Sequence, residues 1–146
     1  SKNVSKTTVG RVHIAQLMCE KGYVKNLNEA FSLYIKDKGV CYVSGEKFSP
    51  KEVIDQIHKA NGKAVLAHPS VIQSRKVINN LLEHEFDGIE VYYAKLFATE
   101  EKRWQKIADK HSLIATGGSD FHGENKPYLS LGCSWVNEET FNKLIS

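Results

Sequence analysis

Three short apolar runs, Lys63 to Ala67, Ile89 to Tyr93 and Leu113 to Thr116, each follow a segment of helical periodicity across a turn. That rhythm restricts the possible folds more than any other feature of the chain. A run of four or five apolar and β-branched residues between turn signals reads as a buried strand. Strands that alternate with helices pair in parallel, because a parallel pair needs a long crossover between its members. Asn61-Gly62 opens the first run, Asp87-Gly88 opens the second, and Ser112 bounds the third. In parallel α/β sheets the working side chains gather at the carboxyl ends of the strands, so the residues just past each run are the ones to weigh.

Past the third run lies Gly117-Gly118-Ser119-Asp120-Phe121-His122-Gly123. Residues i and i+2 of an extended segment point to one side, so the Asp120 carboxylate and the His122 imidazole could converge on a cation. An Asp–His pair among glycines is more often a solvated turn; a second motif shifts the balance. The first run ends on His68-Pro69, and a proline biases the residue before it toward extended angles. Two strands therefore end in residues able to ligate a metal, and both could face one crevice. Glu90 interrupts the apolar second run, where an acidic side chain is costly unless paired, exposed or near a cation. It is expected either to support the ligands from behind or to sit at an exposed edge. His58, His84 and His111 fall in or at the ends of helices among charged neighbours and are assigned no chemistry.

The remaining elements follow from periodicity and capping. Arg11 to Lys21 reads as a helix with Ile14, Leu17 and Met18 on one face, and Asn26 caps a second from Leu27 to Lys38. Ser49-Pro50-Lys51-Glu52 opens a third that runs to Asn61, with Pro50 at the first helical position and Glu52 closing a capping box. Ser74 to His84 is a fourth. Thr99 caps a fifth that has Glu100 and Glu101 in its first turn and Lys110 and His111 at its end, where each sign suits the helix dipole. A strand from Leu131 to Val136 and a helix from Glu138 to Ile145 complete the reading. The expected division is a helical segment at 1–61 and a β/α segment at 62–146.

At 146 residues, 41% hydrophobic and 25% charged, the chain can bury its own core. A formal charge of +3 favours an anionic ligand such as a phosphate ester without arguing for nucleic acid. Cys19, Cys41 and Cys133 are odd in number and widely spaced, so neither a disulfide framework nor a thiolate zinc site is indicated. With no signal-peptide pattern and no apolar run of membrane-spanning length, a soluble cytoplasmic protein is expected.

Gly10-Arg11-Val12-His13-Ile14-Ala15, Gly62-Lys63-Ala64-Val65-Leu66-Ala67-His68-Pro69, Asp87-Gly88-Ile89-Glu90-Val91-Tyr92 and Gly118-Ser119-Asp120-Phe121-His122 occur in this order. Together they resemble the PHP family, named for polymerase and histidinol phosphatase domains, in its branch with a helical insertion. That branch includes enzymes acting on nucleoside 3′,5′-bisphosphates and on the 5′ ends of short RNAs. The resemblance covers essentially the whole chain and implies His13, His68, Asp120 and His122 as metal ligands, with His68, Asp120 and His122 catalytic. It also implies an α/β fold that is part of a distorted TIM-like (β/α)7 barrel.

The family's opening His-x-His strand and several further ligands have no counterpart here. The chain therefore looks like the C-terminal part of a PHP protein, an incomplete barrel lacking its N-terminal strands, with an exposed sheet edge open to self-association. The implied chemistry is phosphoester hydrolysis by divalent metals, with manganese, zinc or iron suiting imidazole and carboxylate ligands. The substrate would be a phosphorylated small molecule or a short oligonucleotide. Since four ligands can hold one metal and no more, this chain alone is expected to be weakly active or inactive. Lys95, Arg75 and Lys126 follow strand ends and could touch substrate phosphate. Two other readings stand beside this one: a noncatalytic remnant, and a nucleic-acid-binding module suggested by Tyr92-Tyr93-Ala94-Lys95 and Lys102-Arg103-Trp104. Against the latter, Trp104 falls at helical spacing with Ile107 and Ala108, where core packing is its expected job.

Overall fold

A computed structural model describes residues 9–37, 39–94 and 96–146. The chain divides into two compact units, Ser1–Lys47 and Phe48–Ser146. The boundary thus lies ahead of the expected one at 61/62, and the helix that opens on Pro50 belongs with the strands.

In the first unit, α1 (Arg11–Glu20) is followed by α2 (Leu27–Ala30), which runs on into a π-helical turn at Phe31–Ile35. Asn26 caps α2 as the sequence suggested, accepting from the Glu29 N–H at 2.9 Å. Glu29 Oε2 in turn accepts from the N–H of Lys25, the residue before the cap, at 2.6 Å. Ala15, Val24, Ala30 and Ile35 are buried together. The expected end at Lys38 lies outside the described residues, but helical geometry already stops at Ile35, where Lys36 turns extended with ψ 160°.

The second unit contains α3 (Pro50–Lys59), β1 (Val65–Leu66), a 3₁₀ turn at Pro69–Val71, α4 (Arg75–Leu81) and β2 (Gly88–Tyr93). It continues through α5 (Ala98–Lys110), β3 (Ile114–Gly118), a 3₁₀ turn at Gly123–Asn125, and α6 (Glu138–Ile145). The capping box of α3 forms as read: the Ser49 N–H donates to Glu52 Oε2 at 2.7 Å and the Glu52 N–H to Ser49 Oγ at 3.3 Å. All strand pairs are parallel, in the order β1-β2-β3. Among the described residues the sheet has three strands and does not close into a barrel. Ile89 and Val91 of the central strand pack with Ile78 of α4 and with Trp104 and Ala108 of α5, all buried.

Asp87 explains why α3 travels with the sheet. Its Oδ2 accepts from the Ala64 N–H at 2.6 Å and stands 2.8 Å from His58 Nε2. One carboxylate therefore ties the end of α3 to the starts of β1 and β2. Three local readings are corrected. Residues Leu131 to Val136 form turns in place of a strand, reversed at Gly132 (φ 76°) and pinned by a hydrogen bond of 2.6 Å from Ser134 Oγ to the Tyr92 carbonyl. The cap of α5 is Phe97, which leaves Thr99 inside the first turn. Finally, α4 ends at Leu81, short of His84.

A bulge in β2 sets up the site. Glu90 pairs with Thr116 and Tyr92 with the next residue, Gly117, so Val91 is the extra residue on its strand. Without the bulge, side-chain alternation would put Glu90 and Tyr93 on opposite faces. With it, both point away from the helices, while Ile89 and Tyr92 face α5; the Tyr92 hydroxyl donates to Gln105 Oε1 at 2.8 Å. The bulged backbone crowds β3: a Cβ at Gly117 would stand 2.6 Å from Tyr92 Cβ and from its carbonyl oxygen. Glycine is required there.

Candidate active site

The carboxyl ends of the three strands bring His68, Glu90, Tyr93, Asp120, His122 and Lys126 to one face. His68 follows β1 and, contrary to the extended angles expected before a proline, is left-handed with φ 32° and ψ 56°. Glu90 Oε2 holds it there, accepting from the His68 N–H at 2.7 Å. The half-buried acid in the apolar strand therefore has a partner, and that partner is the backbone of a candidate ligand. The exposed His68 ring meets Tyr93 edge-on, with centroids 6.2 Å apart and planes at 61°.

Asp120, beyond β3, is also left-handed, with φ 49°. It meets His122 through a turn, where the sequence pattern predicts an extended segment. His122 Nδ1 lies 2.6 Å from the Asp120 carbonyl oxygen and 3.4 Å from its Oδ1. A carbonyl only accepts, so Nδ1 carries a proton; in the neutral ring Nε2 keeps its lone pair for a ligand. On the other carboxylate oxygen, Asp120 Oδ2 accepts from the Tyr93 hydroxyl at 3.0 Å and from Lys126 Nζ at 2.5 Å. The Lys126 hydrogen bond holds the Asp120 carboxyl below its ordinary range against the opposing effect of burial, with Tyr93 and the nearby His122 adding to the depression. Burial, and then the bond to Asp120, push the Tyr93 phenol up to about 12, so it remains a proton donor at neutral pH.

Of the other expected site residues, Arg75 and Lys126 belong to the same unit as the cluster and His13 to the other. His13, in the first unit, accepts at Nδ1 from the Gly10 N–H at 2.9 Å and so caps α1, with the ligand lone pair already engaged. Arg75 opens α4 and lines a groove against α5. Lys95 lies outside the described residues. Lys126 is present as a cation near the site, but its ammonium is bound to Asp120.

Comparison with known proteins bears on the family. No family model matches the sequence. The chain is 32% identical over 129 residues to the 5′-3′ exoribonuclease Rnm of Escherichia coli K12, covering 85% of this chain and 44% of that protein. It is 30% identical, with 85% and 45% covered, to the 3′,5′-nucleoside bisphosphate phosphatase of Chromobacterium violaceum. A Bifidobacterium adolescentis protein provisionally assigned as a metal-dependent phosphoesterase superposes with a TM-score of 0.78 at 29% identity, over 99% of this chain and 52% of that one. These relatives support a PHP-type phosphoesterase family for this chain. It spans less than half the length of these curated relatives.

A PHP-type site raises the question of metal. His68, Asp120 and His122 offer the imidazole and carboxylate donors that suit a divalent transition ion. Among the described residues no three His, Cys, Asp or Glu side chains group closely enough to hold one. Asp120 places one carboxylate oxygen on the Lys126 ammonium. The residue that sequence reasoning missed is Tyr93. The aromatic-basic run at 92–95 marked it only for nucleic-acid binding, since strict alternation puts it on the face opposite Glu90 and only the bulge reverses that.

Proposed function

We propose that the chain carries one side of the active site of a phosphoesterase that hydrolyses phosphate esters of nucleotides or of short RNA ends. The observation that carries this reading is the convergence of Tyr93, His122 and Lys126 on Asp120 at the carboxyl end of β3, beside a His68 held by Glu90. The activities named for the Escherichia coli and Chromobacterium violaceum relatives support it.

In this reading His68, Asp120 and His122 are the catalytic ligand positions, Glu90 fixes the His68 backbone, and Tyr93 orients the Asp120 carboxylate. Lys126 neutralises Asp120 in the free chain and turns to the substrate phosphate when that charge is met otherwise. Manganese, zinc or iron is the divalent cofactor we favour, and further ligands must come from groups outside the cluster described. Bound metal would supply an activated water and charge neutralisation. The scarcity of grouped donors supports the narrower proposal that this chain alone is weakly active or inactive, which keeps the noncatalytic reading alive for the isolated chain. The wider proposal is a member of a distorted (β/α)7 barrel.

Three free cysteines support a reducing, cytoplasmic setting, and among the described residues no helix is long and apolar enough to cross a membrane. Self-association by strand pairing at the outer strands β1 and β3 is part of the proposal, and gel filtration would detect it.

The test is calorimetric titration with manganese and zinc, followed by assay on adenosine 3′,5′-bisphosphate. Asp120→Asn and His68→Ala should each weaken metal binding at least tenfold, about 1.4 kcal/mol, with the fold retained by circular dichroism. Unchanged affinity in both would reject the shared site.

A further inference from the structure

The face of α5 that borders α4 carries charge of one sign. Arg75 of α4 and Lys102, Arg103, Lys106 and Lys110 of α5 line a groove of about 520 Å³ with His111 at its end, and no carboxylate contributes to its walls. A solvated helix face ordinarily mixes signs; α5 separates them. Glu101 and Asp109 lie a turn or two apart on a different stripe, where Asp109 accepts a hydrogen bond from Gln105 at 2.8 Å. Among the described residues no carboxylate lies within ion-pair distance of Arg75, Lys102, Lys106 or Lys110; only Arg103 is paired, at 3.2 Å from Glu100 and exposed.

An adjoining pocket of about 300 Å³ shares Arg75 and Arg103 and adds Ser70, Gln73 and Glu100. Trp104 lines it as well. That indole is 1% exposed, and its Nε1–H is buried with no hydrogen-bond partner among the described residues. A buried donor left unpaired costs about 1–3 kcal/mol.

The placement gives the groove a direction. Both α4 and α5 start just after strand carboxyl ends, so Arg75 and Thr99 lie toward the site and Lys110 lies away from it. From Thr99 to Lys110 the helix covers about 16 Å at 1.5 Å per residue, enough for several consecutive phosphates. We propose that this groove binds the phosphodiester backbone of a single-stranded RNA whose end reaches the strand mouths. The ligand would then be an oligonucleotide in preference to a mononucleotide. Naming RNA rests on the phosphoesterase reading; binding of a polyanionic chain in the groove does not.

The experiment is fluorescence anisotropy with the full chain in chelator, where hydrolysis is absent, using a 5′-phosphorylated RNA of roughly ten nucleotides, within the usual single-strand site sizes of about 4–16. Lys102→Glu with Lys106→Glu should weaken binding at least tenfold and flatten the dependence of log K on log salt by about 0.7 for each phosphate no longer neutralised. The neutral pair Lys102→Gln and Lys106→Gln should fall between, and competition by adenosine 3′,5′-bisphosphate should be weak and unaffected by either pair. RNA affinity and salt slope unchanged in the folded charge-reversed chain would overturn the groove. Groove-dependent binding in a chain whose metal affinity is unchanged by Asp120→Asn and His68→Ala would leave the groove standing and remove the phosphoesterase reading alone.

Discussion

Asp87 and Asp120 stand at opposite ends of the same sheet and share almost every local property. Their side chains are 23% and 21% exposed. Each carboxyl is held below its ordinary value: for Asp87, burial pushes upward but is outweighed by the His58 and Ala64 hydrogen bonds; for Asp120, the Lys126 bond leads. Each has a histidine beside it. They differ in what kind of partner they hold. Asp87 binds the N–H of Ala64, a residue that is itself 1% exposed, and links three elements at the amino ends of the strands. Asp120 binds only side chains through its carboxylate, those of Tyr93, Lys126 and His122, all at the carboxyl ends. A depressed carboxyl pKa therefore does not mark a site by itself; what separates these two acids is whether backbone is among the partners.

The largest expected effect separates the two acids on stability. Asp87→Ala strands a buried N–H and breaks the charge-assisted bond to His58, and should destabilise the unit by about 2–3 kcal/mol in urea unfolding. Asp120→Ala, which frees Lys126 to reach solvent, should lose well under half as much. Both native acids contribute stability that is present above the ordinary carboxyl value of 3.8 and is lost as pH falls through their lower folded values. Acid unfolding should flatten more in the Asp87 variant. Equal losses in the two variants would collapse the distinction between staple and site.

Lys126→Met sharpens it from the other side. Removing the ammonium should raise the Asp120 pKa, since that hydrogen bond is the largest influence lowering it, and carboxyl-carbon magnetic resonance reads the shift directly. Manganese affinity should rise by roughly 3- to 10-fold, about 0.7–1.4 kcal/mol, because the ion no longer competes with a lysine for Oδ2. A fall in affinity would show that Lys126 organises the ligand cluster and does not occupy it. No change of comparable kind is expected at Asp87.

Much of this was legible in sequence because it is local. The capping box of α3, the Asn26 cap and the three strands are encoded within a few residues of themselves, and His68, Asp120 and His122 were placed at strand ends by the rhythm of apolar runs and turns. The Trp104 spacing likewise put that ring in the core, where it lies at 1% exposure. The failures are tertiary. Asp87 read as half of an Asp-Gly turn, since nothing nearby announces His58 from the preceding helix. The segment at 131–136 has strand composition, yet Gly132 reverses it and a serine side chain anchors it. His68 and Asp120 both took left-handed angles against the extended expectation. The bulge at Val91 cannot be seen in β2 alone, because it depends on Gly117 of β3 admitting the displaced Tyr92 backbone.

Tyr93 gives the smallest effect and tests that bulge most directly. If Val91 re-aims the strand, Tyr93→Phe removes one hydrogen bond from Asp120 while leaving the buried ring in place, for a loss of about 0.5 kcal/mol, and the Asp120 pKa should rise by less than in Lys126→Met. The phenol also leaves an alkaline signature. Its folded pKa of about 12 exceeds the ordinary 10.0, so the unfolded chain loses this proton first as pH rises. The stability from keeping Tyr93 protonated is complete below pH 10 and disappears on the way to 12. Of six tyrosines, phenolate absorbance should show this one ionising late, and Tyr93→Phe should remove that late step. Late ionisation that survives the substitution would place Tyr93 off the Asp120 face, and the strand would have to be read without its bulge.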